Sequence, residues 1–175
     1  MKTSFNVGFV AGWILFSGAL LLYLFGRSPL WKFRYITFWI PPLAVALSIA
    51  LGRPAHRELP YPFGVAFRKG LLAAFVLAST KAMLIYLLIF FRPQIIEMHM
   101  EEIRQDLALV YQGPLASSLP TDPADFLNQL KRDATPLRLA FAEFQMNLMA
   151  GLVLSVIFGF IFQRKSRRLP SHDPS

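Results

Sequence analysis

The chain has 175 residues, 55% hydrophobic and only 16% charged, with a formal net charge of +8 and no cysteine. Without cysteine there is no disulfide framework, thiolate metal site, iron–sulfur cluster or cysteine nucleophile. The basic excess does not point to nucleic acid: the basic residues fall in short clusters beside long apolar runs, where orientation signals and lipid contacts place them. No basic stretch interleaved with aromatics is long enough to follow a phosphate backbone.

The first apolar run, residues 5–26, follows Lys2. It is longer than a signal-peptide core of about 7–15 residues and no small-x-small cleavage site follows, so it reads as a retained transmembrane helix. Gly8-x-x-x-Gly12 within it is a small-residue packing motif. It admits a homodimer face, and intramolecular packing is the favoured reading. The second run, residues 35–52, contains Pro41-Pro42. Its helix either starts at the prolines or bends there, because proline removes a backbone donor and crowds the preceding turn.

The stretch 53–69 carries Arg53, Arg57, Arg68 and Lys69, and Pro54, Pro60 and Pro62 keep it from forming one long helix. Its last part, from Tyr61, suits a short interfacial helix leading into the third run, residues 70–91. Residues 94–137 form the main polar segment and are expected to make a helical hairpin. Ile96, Met100, Ile103, Leu107 and Val110 recur at helical spacing, with Glu97, Glu101, Arg104 and Asp106 on the other faces. Asp122-Pro123-x-Asp125 is a helix start, and that second helix should end near Asp133. The fourth run, residues 139–162, is stopped by Arg164, Lys165, Arg167 and Arg168, and the tail 169–175 reads as disordered.

The expected fold is therefore an all-α integral membrane domain of four transmembrane helices, with a helical extracytoplasmic hairpin between the third and fourth. Four spans put both termini on one side. That side carries Lys2, the 53–69 loop and the Arg164–Arg168 cluster, so the positive-inside rule makes it cytoplasmic. Arg27, Lys32 and Arg34 dissent from the opposite side.

Lys81 is the single charge within the third run. A lysine at the centre of a bilayer costs about 2.5–3.5 kcal/mol on insertion scales. It is either a substrate, ion or proton site or a polar pin between helices, and the pin is favoured. Gly70, Ala74, Ala78 and Ala82 recur every four residues on the third helix. Asn147, Gly151, Ser155 and Gly159 do so on the fourth, with Glu143 extending the row. Small residues at this spacing let helix backbones approach closely in lipid. Lys81 borders the first stripe, so its expected partner is Glu143 or Asn147.

No catalytic, cofactor-binding or metal-ligating set is expected. His99 with Glu97, Glu101 and Glu102 lacks metal-ligand spacing and reads as a solvated helix face. There is no phosphate loop or nucleophile elbow.

The stretch from Tyr61 through Pro62, Phe63, Gly64, Arg68 and Lys69 to Gly70, then Tyr86, Arg92-Pro93 and the closing helix 141–165, resembles a family of uncharacterised four-helix membrane proteins common in Bacteroidota. The resemblance implies a bacterial inner-membrane protein without assigned activity. The function expected is that of a non-enzymatic accessory or assembly protein, with a role in envelope biogenesis. Its partners would be the bilayer and a protein meeting the hairpin or the spans, with homo-oligomerisation left open. The alternative is a small oligomeric transporter or channel with Lys81 in its pathway.

Overall fold

The computed structural model describes residues 1–30, 37–54, 59–111 and 123–163. Among these the protein is all-helical: α1 (Lys2–Leu24), α2 (Ile40–Leu51), α3 (Phe63–Phe91), α4 (Gln94–Tyr111), α5 (Pro123–Asp133) and α6 (Pro136–Phe162). Three of them, α1, α3 and α6, are long and apolar enough to cross a membrane. Large apolar side chains such as Phe9, Trp13, Phe75, Met149 and Phe160 are exposed on them. A water-soluble fold would bury these groups, so the exposed surface suits lipid contact.

Local sequence explains where the helices begin and end. α1 closes on Gly26, whose φ of 71° is left-handed, and the Arg27 N–H returns to the Leu22 carbonyl at 3.0 Å. Glycine takes that conformation without a Cβ penalty. α2 starts at the prolines, with Pro41 and Pro42 in its first turn, where missing N–H groups cost nothing. The residue before it, Trp39, has right-handed helical angles too, and the choice between a start and a bend turns on residues 31–36, which lie outside the described part. As described, α2 has 12 residues, about 18 Å of helix against roughly 30 Å of hydrocarbon. The expected second span is thus a short apolar helix in the structure, and residues 35 and 36 lie outside the described part.

The third helix begins seven residues before its apolar run. Pro62 is extended at its N-cap, and nothing from Phe63 to Lys69 interrupts the helix, so the expected interfacial piece and the span are one continuous helix. α6 likewise starts early, with Thr135 capping it by accepting the Arg138 N–H at 3.3 Å and Pro136 at its first position. α5 occupies the stretch that Pro123 and Asp125 mark, and it ends at Asp133. Of the hairpin, residues 112–122 lie outside the described part, as does the tail from residue 164.

α3 is the central element. α1 runs parallel to it, Gly8 lying on Ala73 and Gly12 on Thr80. α6 runs antiparallel, Gly159 lying by Phe63 and Gly151 by Ala74. α2 is also antiparallel and covers only the half of α3 between Lys69 and Leu77. The core is a stack of three layers. Val45, Ile49, Tyr61, Ala66 and Ala74 form one end, with Phe158 and Phe162 against them. Ala11, Leu15, Ala44 and Leu77 form the middle. Ala19, Leu30, Ile85, Ile89 and Ile95 form the other end. Ile95 belongs to α4, so α4 is docked on the bundle.

Candidate functional site: a buried ion pair beside a half-length helix

Lys81 and Glu143 meet at the seam of α3 and α6. The Lys81 ammonium donates to a Glu143 carboxylate oxygen at 2.6 Å, and the side chains are 9% and 3% exposed. Lys81 sits about 18 Å along α3 from Lys69 and about 17 Å from Arg92, the charged residues that bracket the apolar stretch. Both groups are therefore far from either polar end of the helix. Each charge removed from water costs several kcal/mol, and the cost is met by placing the opposite charge in hydrogen-bond contact.

Asn147 lies one turn further along α6. Its side-chain amide donates to the Glu143 backbone carbonyl at 2.6 Å, so it shapes its own helix and is not the partner recorded for Lys81. The small-residue stripes face each other around the pair. A Cβ built on Gly151 would run into that of Ala74, and one on Gly70 would lie 2.9 Å from the Ser155 hydroxyl. Ser155 donates to the Gly151 carbonyl of its own helix at 2.6 Å, which satisfies the hydroxyl without disturbing the seam. Ala78 is fully buried, whereas Ala82 is half-buried at the edge. The Gly8-x-x-x-Gly12 motif is used within the chain, against α3.

A cavity of about 490 Å³ adjoins the pair. Thr37, Pro41 and Pro42 line it from the start of α2, Asn147, Met149 and Val153 from α6, and Lys81 and Glu143 at the polar point. The first turn of a helix carries N–H groups without intrahelical partners, and Pro41 and Pro42 remove two of those donors where α2 opens toward the middle of the bundle.

A second polar cluster lies where α4 docks. The Ser28 N–H donates to Glu102 at 3.1 Å, the Ser28 hydroxyl accepts the Leu30 N–H at 3.3 Å, and Gln94 donates to the Tyr23 hydroxyl at 2.6 Å. His99 is 6% exposed. This corrects the reading of His99 and Glu102 as a solvated face. The docked face of α4 is Ile95, His99 and Glu102, and the apolar row Ile96, Met100, Ile103 and Leu107 lies beside it, half-buried. The phase is set by Ile95, which the core captures. Glu97 and Glu101 remain exposed. Among the described residues no group of three or more His, Cys, Asp or Glu side chains converges in a way that would hold a metal ion.

At the other end of the bundle cations close helix C-termini. Lys69 donates to the Gly52 carbonyl after α2, and Arg53 donates to the Phe162 carbonyl at the end of α6, at 2.8 Å. Cations there offset the partial negative charge of the last carbonyls. Arg53 also lies over the Phe162 ring, 4.5 Å from its centroid. Sequence reasoning missed these contacts: Lys69 lies within α3 and Arg53 follows α2, so neither cation stands next in sequence to the helix end it closes.

The fold and the ion pair define a class: an all-helical protein with three helices suited to a bilayer and one charged contact deep between two of them. The chain belongs to the family described as protein of unknown function DUF4199, whose model matches residues 6–164. No curated protein and no solved structure matches it.

Proposed function

We propose that this is a multi-pass bacterial inner-membrane protein of non-enzymatic role, an accessory or assembly component for another envelope protein. The observation that carries the reading is the closure of Lys81 on Glu143 at the α3–α6 seam. The deepest charge of the bundle is spent on joining two helices. In this reading α1, α3 and α6 are spans, and α2 with the residues before it completes a fourth. The α4–α5 hairpin then lies outside the cytoplasm and both termini inside it, in keeping with the basic residues Lys2, Arg53, Arg68 and Lys69 at one end of the bundle.

Two measurements test this. Single cysteines introduced at positions 118 and 170 are labelled from outside with a membrane-impermeant reagent; only the first should react, and reaction of the second overturns the topology. The double variant Lys81→Met, Glu143→Leu removes both charges and keeps apolar bulk. It should insert, remain monodisperse and retain the proteins that co-purify with wild type. Loss of those partners from a well-folded double variant would reject the pin.

One feature favours a second reading, a small oligomeric transporter or channel. A half-length helix that opens beside a buried charge, with a cavity between, is an arrangement transporters use for substrate sites. Ion or proton flux in proteoliposomes that the double variant abolishes would put this reading first.

A further inference from the structure

One face of α3 near its start is written as Val65, Arg68, Leu72 and Phe75, the i, i+3, i+7, i+10 spacing of a single stripe. Leu148 and Leu152 of α6 stand opposite, and the two stripes enclose a groove of about 670 Å³. The groove is polar at one end only. Arg68 is exposed at its mouth, and the walls from Arg68 to Phe75 run about 10 Å along the helix axis as apolar surface. Lys69 also borders the groove, but its ammonium is engaged by the Gly52 carbonyl and lies 5.4 Å from the centroid of the Tyr61 ring. Met1 lines the groove as well. Arg68 has no hydrogen bond or ion pair among the described residues, so its guanidinium is available to an anion at the mouth.

We propose that this groove is a binding site for an anionic phospholipid, with the phosphate on Arg68 and an acyl chain along Leu72, Phe75, Leu148 and Leu152. Three observations converge on that occupant. The guanidinium presents a donor fork that matches phosphate oxygens. The charge sits at the end of the apolar stretch and the floor runs toward its middle, which is how a phospholipid lies in a leaflet. The surroundings also have the right sign. Lys2 and Arg53 are at this end. Among the described residues every acidic side chain lies on α4, on α5 or at Glu143, away from the groove. Basic pockets between helices at a membrane face select lipids with anionic headgroups. A partner helix would need an apolar mouth as well as an apolar floor, and a free phosphate would have no use for the floor.

The site rests on the bilayer reading of the long helices, and not on the accessory role. The test is native mass spectrometry of the full chain in a mild non-ionic detergent, titrated with phosphatidylglycerol or with phosphatidylcholine of the same acyl chains. Wild type should retain one phosphatidylglycerol, with phosphatidylcholine held about fivefold more weakly. Arg68→Gln should lose that preference, and Leu152→Trp, which fills the groove from an exposed wall position, should weaken both lipids. Arg104→Gln removes a charge at the other end of the bundle and should change neither. The proposal falls if Arg68→Gln binds phosphatidylglycerol like wild type, or if Arg104→Gln weakens it equally, making net charge the cause. It also falls if inorganic phosphate displaces the lipid at matching concentration. A chain that stays in solution without detergent would instead remove the bilayer reading itself.

Discussion

The two seams that α3 makes are built differently. Against α1 the contact is close approach alone: Gly8 lies on the Ala73 carbonyl, Gly12 on Thr80, and Ala11, Leu15 and Leu77 fill the space between. Against α6 the same kind of small-residue row is present, but it ends on a charged pair. The difference teaches what each device supplies. Lipid tails are as apolar as leucine, so helices gain nothing from hiding apolar side chains from them, and close backbone packing must hold the seam. A row that repeats every four residues packs almost as well after slipping by one turn. Gly70, Ala74 and Ala78 offer α6 several equivalent resting places. Lys81 and Glu143 offer one, because a slip of about 5.4 Å would part the charges. The pair therefore sets the register of α6 on α3. The α1 seam has no such marker; its register follows from bulkier side chains such as Leu15 and Leu77.

The strongest way to break this comparison is to leave Lys81 without its carboxylate. Glu143→Leu should cost about 3–5 kcal/mol, the penalty for an uncompensated buried charge, read as loss of thermal stability in detergent. Adding Lys81→Met should recover most of that loss, since an apolar pair of similar volume is often as stable as the ion pair it replaces. Register then becomes visible. Cysteines at positions 74 and 151 should cross-link in wild type, because Gly151 packs on Ala74. In the uncharged double background part of the cross-linking should move to a 78–151 pair. Cross-linking confined to 74–151 would show that the small rows fix register unaided.

A smaller effect tests close approach. Gly12→Leu on the α1 seam and Gly151→Leu on the α6 seam should each cost about 1–3 kcal/mol through overpacking. At both positions an added Cβ already meets a neighbouring side chain before the rest of the leucine is placed. A cost at Gly151 with none at Gly12 would mean that α1 is held by something other than the glycine motif.

How much of this was legible beforehand follows from what each signal measures. The long helices show in composition because a lipid-facing helix must be apolar over its whole length. The facing stripes and the nearness of Lys81 to Glu143 follow from helical period and antiparallel direction, so spacing alone carries them to within one turn. It does not choose between Glu143 and Asn147; that depends on which side chain reaches across the seam and which folds back on its own helix. Two features were hidden for a common reason. The docking of His99 and Glu102 on the bundle and the cations on the Gly52 and Phe162 carbonyls both depend on where one element lies on another. Pro41 and Pro42 mark a helix boundary, and the far end of α2 falls within one residue of the expected Gly52. By contrast, α4 has two adjacent faces, and its docking is decided by Ile95, one residue ahead of the apolar row that periodicity selects.

The smallest expected effect concerns the end of the bundle, where polar contacts are backbone-directed and water is close. Tyr61 is 1% exposed, and its hydroxyl donates to the Ile49 carbonyl at 3.2 Å, tying the start of α3 to the end of α2. Burial raises its pKa above the ordinary 10.0, while the nearby charge of Arg53 works in the other direction. A raised value means that the folded protein holds this proton more tightly than the unfolded chain does. The resulting stability is fully present below about pH 10 and is lost as pH climbs through the folded-state value. Tyr61→Phe keeps the ring and removes the hydroxyl. It should cost about 0.5–1.5 kcal/mol at neutral pH, the net worth of one hydrogen bond. The variant should also lose less stability than wild type between neutral pH and pH 11, because its ring has no proton to surrender. Thermal unfolding at both pH values measures this. If both proteins lose the same amount on going to pH 11, the fold does not hold the Tyr61 proton more tightly than the unfolded chain; if Tyr61→Phe also costs nothing at neutral pH, the corner is held by Lys69 on the Gly52 carbonyl and by the Ser48 hydroxyl on the Lys69 carbonyl.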